Sequence, residues 1–259
     1  MGPSECTGTP TNASITAAPH ERKRSMPAIT RKQFEKLMTE DIYDTTPAGR
    51  EIAGNESGGT FAQYGSWAVW NSLDSAPVKA AQDASLLTEW DRIEGVLHND
   101  VVLVALNLGR PKTAGTGAGT GRINHEGAWE NFHSGSRDFV LGQATERSPF
   151  RGAYITDFYK GLPTYSGAEL QDLLRTLSTD DPLASSTIAT VMRSILDREI
   201  NILDAHEAPL VCLGADAHKA VTQAYGSDKI IEHVSHYSGA VERDAYAAQF
   251  ANLVSKLGL

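Results

Sequence analysis

Polar side chains with hydrogen-bonding or proton-exchanging groups follow three short apolar runs of this sequence. Asn107 follows the first run, Asp157 and Lys160 follow the second, and His236 follows the fourth. Together they would place an amide, a carboxylate, an ammonium and an imidazole around one crevice, and such groups donate, accept and exchange protons. No single one of these motifs is specific, so their order and spacing carry the information.

Four apolar runs alternate with helical patterns and predict the elements that position these side chains. The runs cover residues 101–106, 153–156, 210–213 and 230–234. Continuous apolar strands alternating with amphipathic helices are typical of a three-layer α/β/α fold, here with a mainly parallel, four-stranded central sheet. Ligands of such folds bind at the carboxyl ends of the strands, where the polar residues stand.

The chain divides into three parts by composition. Residues 1–29 are rich in Thr, Ser, Pro and Ala without periodicity, and we expect a disordered tail with a short basic cluster. Residues 30–98 are predicted to form an extension that packs on the core, with a helix beginning at a Thr30–Gln33 capping box and a strand over 66–71. Residues 99–259 form the predicted α/β domain.

Composition limits the classes of function. The 259-residue chain is 41% hydrophobic, and no apolar run approaches the roughly 18 residues that span a bilayer. The first thirty residues lack the apolar core of a secretory signal, so we expect a cytoplasmic protein without a membrane partner. The net charge of −9 counts against a broad nucleic-acid-binding surface but leaves room for a local basic patch.

The sequence offers no recognisable cofactor or metal motif. Its two cysteines, Cys6 and Cys212, form no CxxC pair, and His233 and His236 lack a third ligand nearby. The glycine-rich stretch 113–122 matches neither GxGxxG nor GxxxxGK[ST], so a flexible loop is the simpler interpretation. We predict no metal and no cofactor.

The order of the strand-end motifs resembles that of the uracil-DNA glycosylase superfamily, over roughly residues 99–259. Residues 105–109 are similar to the superfamily's first motif, and residues 154–164 to a strand of its iron–sulfur branch. Residues 213–217 match the Leu-Gly strand end and following helix, and His236-Tyr237-Ser238 resembles a His-Pro-Ser motif. The fold that this resemblance implies is glycosylase-like.

Three departures mark a divergent branch of that superfamily. Leu108 and Tyr237 stand where the motifs usually have proline, and Asp157 replaces an asparagine that reads uracil in many members. The cluster-binding cysteines are missing, so the resemblance carries over no iron–sulfur centre.

The resemblance implies a DNA glycosylase-like hydrolase that cleaves an N-glycosidic bond after a base is flipped or bound. Asn107 would position water, and His236 would act as a neutral donor to the leaving base. Phe132 is the first candidate for the aromatic base platform and Trp129 the second, while Asp157 would read the base edge. An ionised Asp157 only accepts hydrogen bonds, so we expect a substrate other than plain uracil. Supporting positions are Asn131, His133 and Lys160.

The implied partner is DNA, single-stranded or damaged, or else a nucleoside or nucleotide. Phosphate contacts would come from Arg110, Lys112, Arg122 and Ser238. The sequence leaves open which base is bound and which oligomer forms.

Simpler structural roles compete with each assignment. Asn107 can be a turn residue, His236 a satisfied histidine at a helix start, and Phe132 a core residue. Asp157 and Lys160 can pair locally. Two rival functions also remain: a non-catalytic nucleic-acid or nucleotide-binding module on the same fold, and an unrelated small-molecule hydrolase.

Overall fold

The computed structural model describes residues 28–43, 59–71, 73, 83–109, 127–135, 137–164, 166–180 and 184–259. The predictions for the tail up to residue 27, for the glycine-rich stretch 113–122 and for Arg110, Lys112 and Arg122 lie outside these residues.

A five-stranded, mostly parallel sheet forms the centre of the described structure. Its strands are β1 (Gly65–Trp67), β2 (His98–Gly109), β3 (Ala153–Thr164), β4 (Leu210–Leu213) and β5 (Ile231–Val234). They are arranged in the order β1-β3-β2-β4-β5, with β1 antiparallel to β3 and the other pairs parallel.

The predicted number of four sheet strands is wrong, because the N-terminal extension supplies a fifth. The strand predicted at 66–71 is real but shorter, and it pairs with the outer edge of β3, where Ser66 lies opposite Ile155. An unpaired edge of β3 would expose a row of backbone donors and acceptors, and β1 covers part of it. The four runs predicted for the central sheet all form strands, in β2 to β5.

Eight α-helices and one 3₁₀ helix are present in the described residues. The α-helices are α1 (Arg31–Thr39), α2 (Phe61–Tyr64), α3 (Trp90–Ile93), α4 (Asp138–Thr145), α5 (Gly167–Asp180), α6 (Ala184–Leu203), α7 (Ala215–Tyr225) and α8 (Arg243–Leu257), and the 3₁₀ helix is Ser85–Thr88. The capping box predicted at the start of α1 is present, with Thr30 and Gln33 bonding reciprocally. None of the described helices is both long and apolar enough to cross a membrane.

The sheet separates two apolar cores. Val102 and Val104 of β2 face the core that α1, α5, α6 and α7 cover, while Val101 and Leu103 face the core that α4 and α8 cover. This alternation follows from the two-residue period of a strand. Because both faces of β2 are buried in its central part, residues 101–106 form a continuous apolar run, and the polar residues of β2 stand only near its two ends.

The N-terminal extension contributes to the first of these cores. Phe34 of α1 packs against Trp67 of β1, with ring centroids 6.1 Å apart, and against Trp129, at 4.8 Å. Ile29 is buried, and its N–H donates to the Leu97 carbonyl at 3.0 Å. Burial of large aromatic rings stabilises a fold strongly, so α1 and β1 pack as parts of the same core as β2 and β3.

Candidate functional site

A cavity of about 400 Å³ lies at the carboxyl ends of β2 and β4. Asn107 and Gly109 line it from β2, Gly214 lies on it directly after β4, and His236 and Ser238 line it from the segment after β5. The structure thus brings Asn107 together with His236 and Ser238, which stand 129 and 131 positions further along the chain and follow a different strand. Parallel strands direct their carboxyl ends to one edge of a sheet, which is why they meet.

The amide of Asn107 has a fixed orientation. Its Nδ2 donates to Thr164 Oγ1 at 2.8 Å and to the carbonyls of Leu162 and Leu108, both at 3.3 Å. Carbonyl oxygens only accept, so the nitrogen must be on this side of the amide. The Oδ1 atom accepts no hydrogen bond from the described residues. Asn107 therefore presents an acceptor whose direction is set by β2 and the end of β3.

The imidazole of His236 has a fixed tautomer. Ser238 donates its backbone N–H to Nδ1 of His236 at 3.2 Å, and Ser238 Oγ lies 2.7 Å from the same atom. A backbone N–H only donates, so Nδ1 carries no proton in the neutral ring, and the proton is on Nε2. Burial lowers the pKa of His236 below its usual value, which favours this neutral form. His236 is thus a neutral Nε2–H donor beside the cavity.

Gly214 allows His236 its position. A Cβ at Gly214 would lie 3.2 Å from Cβ of His236, closer than most carbon contacts, and its φ of +109° is one that other residues rarely adopt. The segment between β4 and α7 thus runs directly beneath the imidazole. The amino end of α7 reaches the same cavity, and so does that of α5. The N–H groups at both helix starts favour negative charge in the cavity, and Asp216 of α7 opposes it there.

Asp157 and Asn131 form a buried pair away from the residues that line this cavity. Asn131 Nδ2 donates to Asp157 Oδ2 at 2.8 Å and to the Tyr64 carbonyl at 2.7 Å. Burial raises the pKa of Asp157 to about 7, although Asn131 and Lys160 lower it. Near neutral pH a large fraction of Asp157 therefore carries a proton, which differs from the fully ionised carboxylate assumed from the sequence.

Replacement of Asp157 by asparagine is expected to flatten the pH dependence of stability. The folded pKa of Asp157 is raised, so its stabilising contribution is complete below the unfolded value near 3.8 and is lost as the pH rises through about 7. Between pH 5 and pH 8 the wild type should lose roughly 2.5 kcal/mol of unfolding free energy through this group. The Asp157→Asn variant keeps an acceptor for Asn131 but has no group that titrates there, so it should not show this loss of unfolding free energy.

The measurement is urea unfolding of both proteins at pH 5 and pH 8. Asp138, whose pKa burial also raises, to about 6, is common to both proteins and cancels in the difference. The exposed Asp172→Asn variant serves as the control. Parallel pH profiles for wild type and Asp157→Asn would show that the carboxyl stays ionised.

Trp129, Phe132 and His133 lie in the cores. Trp129 is fully buried beside Phe34 and Trp67, Phe132 is 5% exposed, and His133 stacks near Trp70 at 5.0 Å. Burial lowers the pKa of His133 to about 4, so it is neutral. None of the three lines the cavity that contains Asn107 and His236. Trp129 and Phe132 both have positive φ, near +67° and +66°, so their loop holds an uncommon backbone.

Lys160 pairs with Glu199 of α6, a residue that sequence reasoning missed. Its Nζ lies 2.6 Å from Glu199 Oε2, and it also donates to the Asp157 carbonyl. Oε1 of Glu199 accepts from Tyr154 and Thr156 of β3 at 2.8 and 2.7 Å. A signal was present, because Glu199 stands four residues from Ile195 and from Leu203 on the apolar face of a predicted helix.

No protein-family model and no curated protein matches this chain. Among the described residues, no group of three or more His, Cys, Asp or Glu side chains is placed to hold a metal ion. The cavity presents the Oδ1 acceptor of Asn107, the Nε2–H donor of His236 and the Ser238 hydroxyl, which suits a polar organic ligand with both donors and acceptors.

Proposed function

We propose that this chain is a DNA glycosylase-like hydrolase. The N-glycosidic bond that it cleaves would lie in the cavity, between the side chains of Asn107 and His236. One observation carries the proposal. Asn107 presents a hydrogen-bond acceptor and His236 a donor to the same cavity, and other contacts fix the orientation of both side chains. Hydrolysis of such a bond needs an acceptor for the attacking water and a donor for the departing base. The ordered resemblance to the uracil-DNA glycosylase superfamily supports the same assignment.

The proposed reaction uses only groups of this cavity. Asn107 Oδ1 accepts a hydrogen bond from water, and the water oxygen bonds to the anomeric carbon of the sugar. The bond between that carbon and the base nitrogen breaks, and its electron pair leaves with the base. The Nε2–H of His236 donates to a base oxygen and stabilises the negative charge there, while the water's proton passes to solvent or to the departing base.

The proposed substrate is DNA, single-stranded or damaged, or a free nucleoside or nucleotide, and not plain uracil. Neither Phe132 nor Asp157 lines the described cavity. Their roles in base recognition stay predictions from the resemblance. Localisation in the cytoplasm and an absence of membrane partners belong to the same proposal.

A non-catalytic binding module is the second candidate function. The burial of Asp157 and Trp129, at 1% and 0% exposure, favours it, because these side chains are assigned to base recognition and are occupied by contacts within the protein. A module of this kind would bind a nucleotide or a DNA strand at the cavity and release no base.

A cleavage screen tests the proposal directly. Single-stranded oligonucleotides and nucleosides carrying uracil, hypoxanthine, xanthine or alkylated bases are incubated with wild type, Asn107→Ala and the control Asn201→Ala, whose side chain is exposed on α6. We expect base release by the wild type and the control and its loss in Asn107→Ala. Binding without cleavage would support the module, and neither binding nor cleavage would contradict both functions.

If DNA is the ligand, its affinity should fall steeply with added salt. Each phosphate that Arg110, Lys112 or Arg122 neutralises releases counterions, so each such residue adds about 0.7 to the logarithmic salt slope on a single strand. Arg110→Ala, Lys112→Ala and Arg122→Ala should each reduce that slope, and Ser238→Ala should not, because serine carries no charge. Fluorescence anisotropy between 50 and 200 mM salt (roughly the range over which such slopes are measured) gives the slopes.

The control for this titration is Arg147→Ala, since Arg147 is exposed and does not line the cavity. An affinity that does not change with salt would point to an uncharged small ligand instead of DNA.

A further inference from the structure

Tyr237 is the support on which the imidazole of His236 rests. The two rings are stacked, with centroids 4.7 Å apart and planes inclined by 18°. Tyr237 is 8% exposed and belongs to the core that α4 and α8 cover. Its side chain is therefore a rigid surface against one face of His236, while Gly214 lies against the imidazole from the β4 side.

Arg137 and Asp138, at the start of α4, contact Tyr237 at both its side chain and its backbone. The Tyr237 hydroxyl lies beside the carboxylate of Asp138 and interacts with it. That carboxylate accepts from the N–H groups of Ser134 and Gly135 at 3.0 and 2.7 Å. Arg137 Nε donates to the Tyr237 carbonyl at 3.0 Å, and Nη2 donates to the Val241 carbonyl at 3.4 Å. Two consecutive residues, Arg137 and Asp138, thus fix the segment that carries His236 and Ser238.

The hydroxyl of Tyr237 keeps its proton beside Asp138. Burial and the neighbouring Asp138 raise the pKa of Tyr237 well above its usual value. The superfamily motif that this segment resembles has a proline at the position of Tyr237. Proline restricts the backbone through its ring, whereas here contacts of the side chain and the carbonyl restrict it.

We propose that Asp138 and Arg137, acting through Tyr237, are positioning residues that hold His236 as an Nε2–H donor facing the cavity. A stacked ring stops the imidazole from rotating about its side-chain bonds, so Nδ1 stays within reach of the Ser238 N–H. A catalytic donor must be held within a fraction of an ångström of its productive place. The positioning itself is a property of the fold, and its catalytic meaning rests on the proposed function.

The test compares the imidazole of His236 in four variants by NMR of selectively labelled histidine. Tyr237→Phe keeps the stacked ring but removes the hydroxyl beside Asp138, Tyr237→Ala removes both, and Asp138→Asn removes the carboxylate charge beside the hydroxyl. The matched control is Tyr225→Phe, because Tyr225 is also a buried tyrosine that donates to a carboxylate, Asp197, at 2.8 Å, at the far end of α7. Thermal unfolding identifies variants whose fold is intact.

In wild type and in Tyr225→Phe we expect a single Nε2–H tautomer and a His236 pKa below about 6.5, the ordinary value. In Tyr237→Phe and Asp138→Asn the two tautomers should become mixed, and in Tyr237→Ala the pKa should also rise toward the ordinary value. Base release should then fall several-fold through kcat with little change in KM. Unchanged His236 signals in folded Tyr237→Phe and Asp138→Asn would overturn the positioning role.

The NMR readout separates this inference from the proposed function. Altered tautomers in a protein that releases no base from any substrate would uphold the positioning and contradict the glycosylase activity. Unaltered tautomers in a protein that does release base would contradict the positioning alone. If Tyr237→Ala fails to fold, the conservative Tyr237→Phe and Asp138→Asn variants still decide the question.

Discussion

Replacement of His236 by alanine is expected to lower the rate of base release by about 100-fold or more. In the proposed reaction the neutral imidazole donates its Nε2–H where negative charge develops on the departing base, and alanine supplies no donor there. The loss should appear in kcat, because the bond to the base oxygen strengthens as the charge develops. Single-turnover cleavage of the best substrate from the screen measures this rate directly.

Two further variants sharpen that result. His206→Ala removes a histidine at the opposite end of β4, outside the cavity, and should leave the rate unchanged. His236→Gln restores a donor at a similar distance and should recover part of the lost rate, with a flatter pH profile because glutamine does not titrate. Full activity in His236→Ala would show that the leaving base is stabilised by another group.

Most strands of the sheet were predictable because each is marked by a local run of apolar residues. Residues 101–105 and 210–213 are buried on both faces, so each lies in a continuous apolar run. The fifth strand was harder, since Gly65–Trp67 is short and forms only because the edge of β3 is available to it. Its place in the sheet depends on a tertiary contact that no local pattern records.

The candidate site was predictable to the extent that topology determines it. Asn107 and His236 stand directly after parallel strands, and strand direction alone brings such positions to one edge. Trp129 stands in a loop with positive φ, and its burial against Phe34 depends on how α1 packs. Sequence periodicity carries no information about such a loop, so the burial of Trp129, a candidate base platform, could not be predicted from the sequence.

The sequence pattern placed Glu199 on the apolar face of a predicted helix, but it did not identify Lys160 as the partner of Glu199. Asp157 is three residues away and was the natural partner, yet Lys160 and Asp157 belong to a strand, where residues three apart face opposite sides of the sheet. The Lys160 side chain therefore meets Glu199 of α6 on one face, while the Asp157 carboxyl meets Asn131 on the other. Only the backbone carbonyl of Asp157 lies within reach of Lys160.

Replacement of Lys160 by methionine is expected to lower the unfolding free energy by about 3–5 kcal/mol. Both members of the Lys160–Glu199 pair are almost completely buried, at 0% and 1% exposure of their side chains, and they lie 2.6 Å apart. Methionine leaves the Glu199 carboxylate in the core without its cation, and Lys160 is the neighbour that most strongly holds down a Glu199 pKa already raised by burial. Urea unfolding at pH 7 measures the loss.

The exposed pair Lys256–Glu232 is the matched control, because it has the same residue types at the same 2.6 Å separation but a Lys256 side chain that is 62% exposed. Lys256→Met should cost less than about 1 kcal/mol, since water already screens that pair. The double variant Lys160→Met/Glu199→Gln should recover part of the stability, because it removes the isolated charge while a glutamine oxygen can still accept from Tyr154 and Thr156. If the double variant is no more stable than Lys160→Met, the lost unfolding free energy comes from the packing of the lysine stem. The buried charge would then have no measurable role in holding α6 against β3.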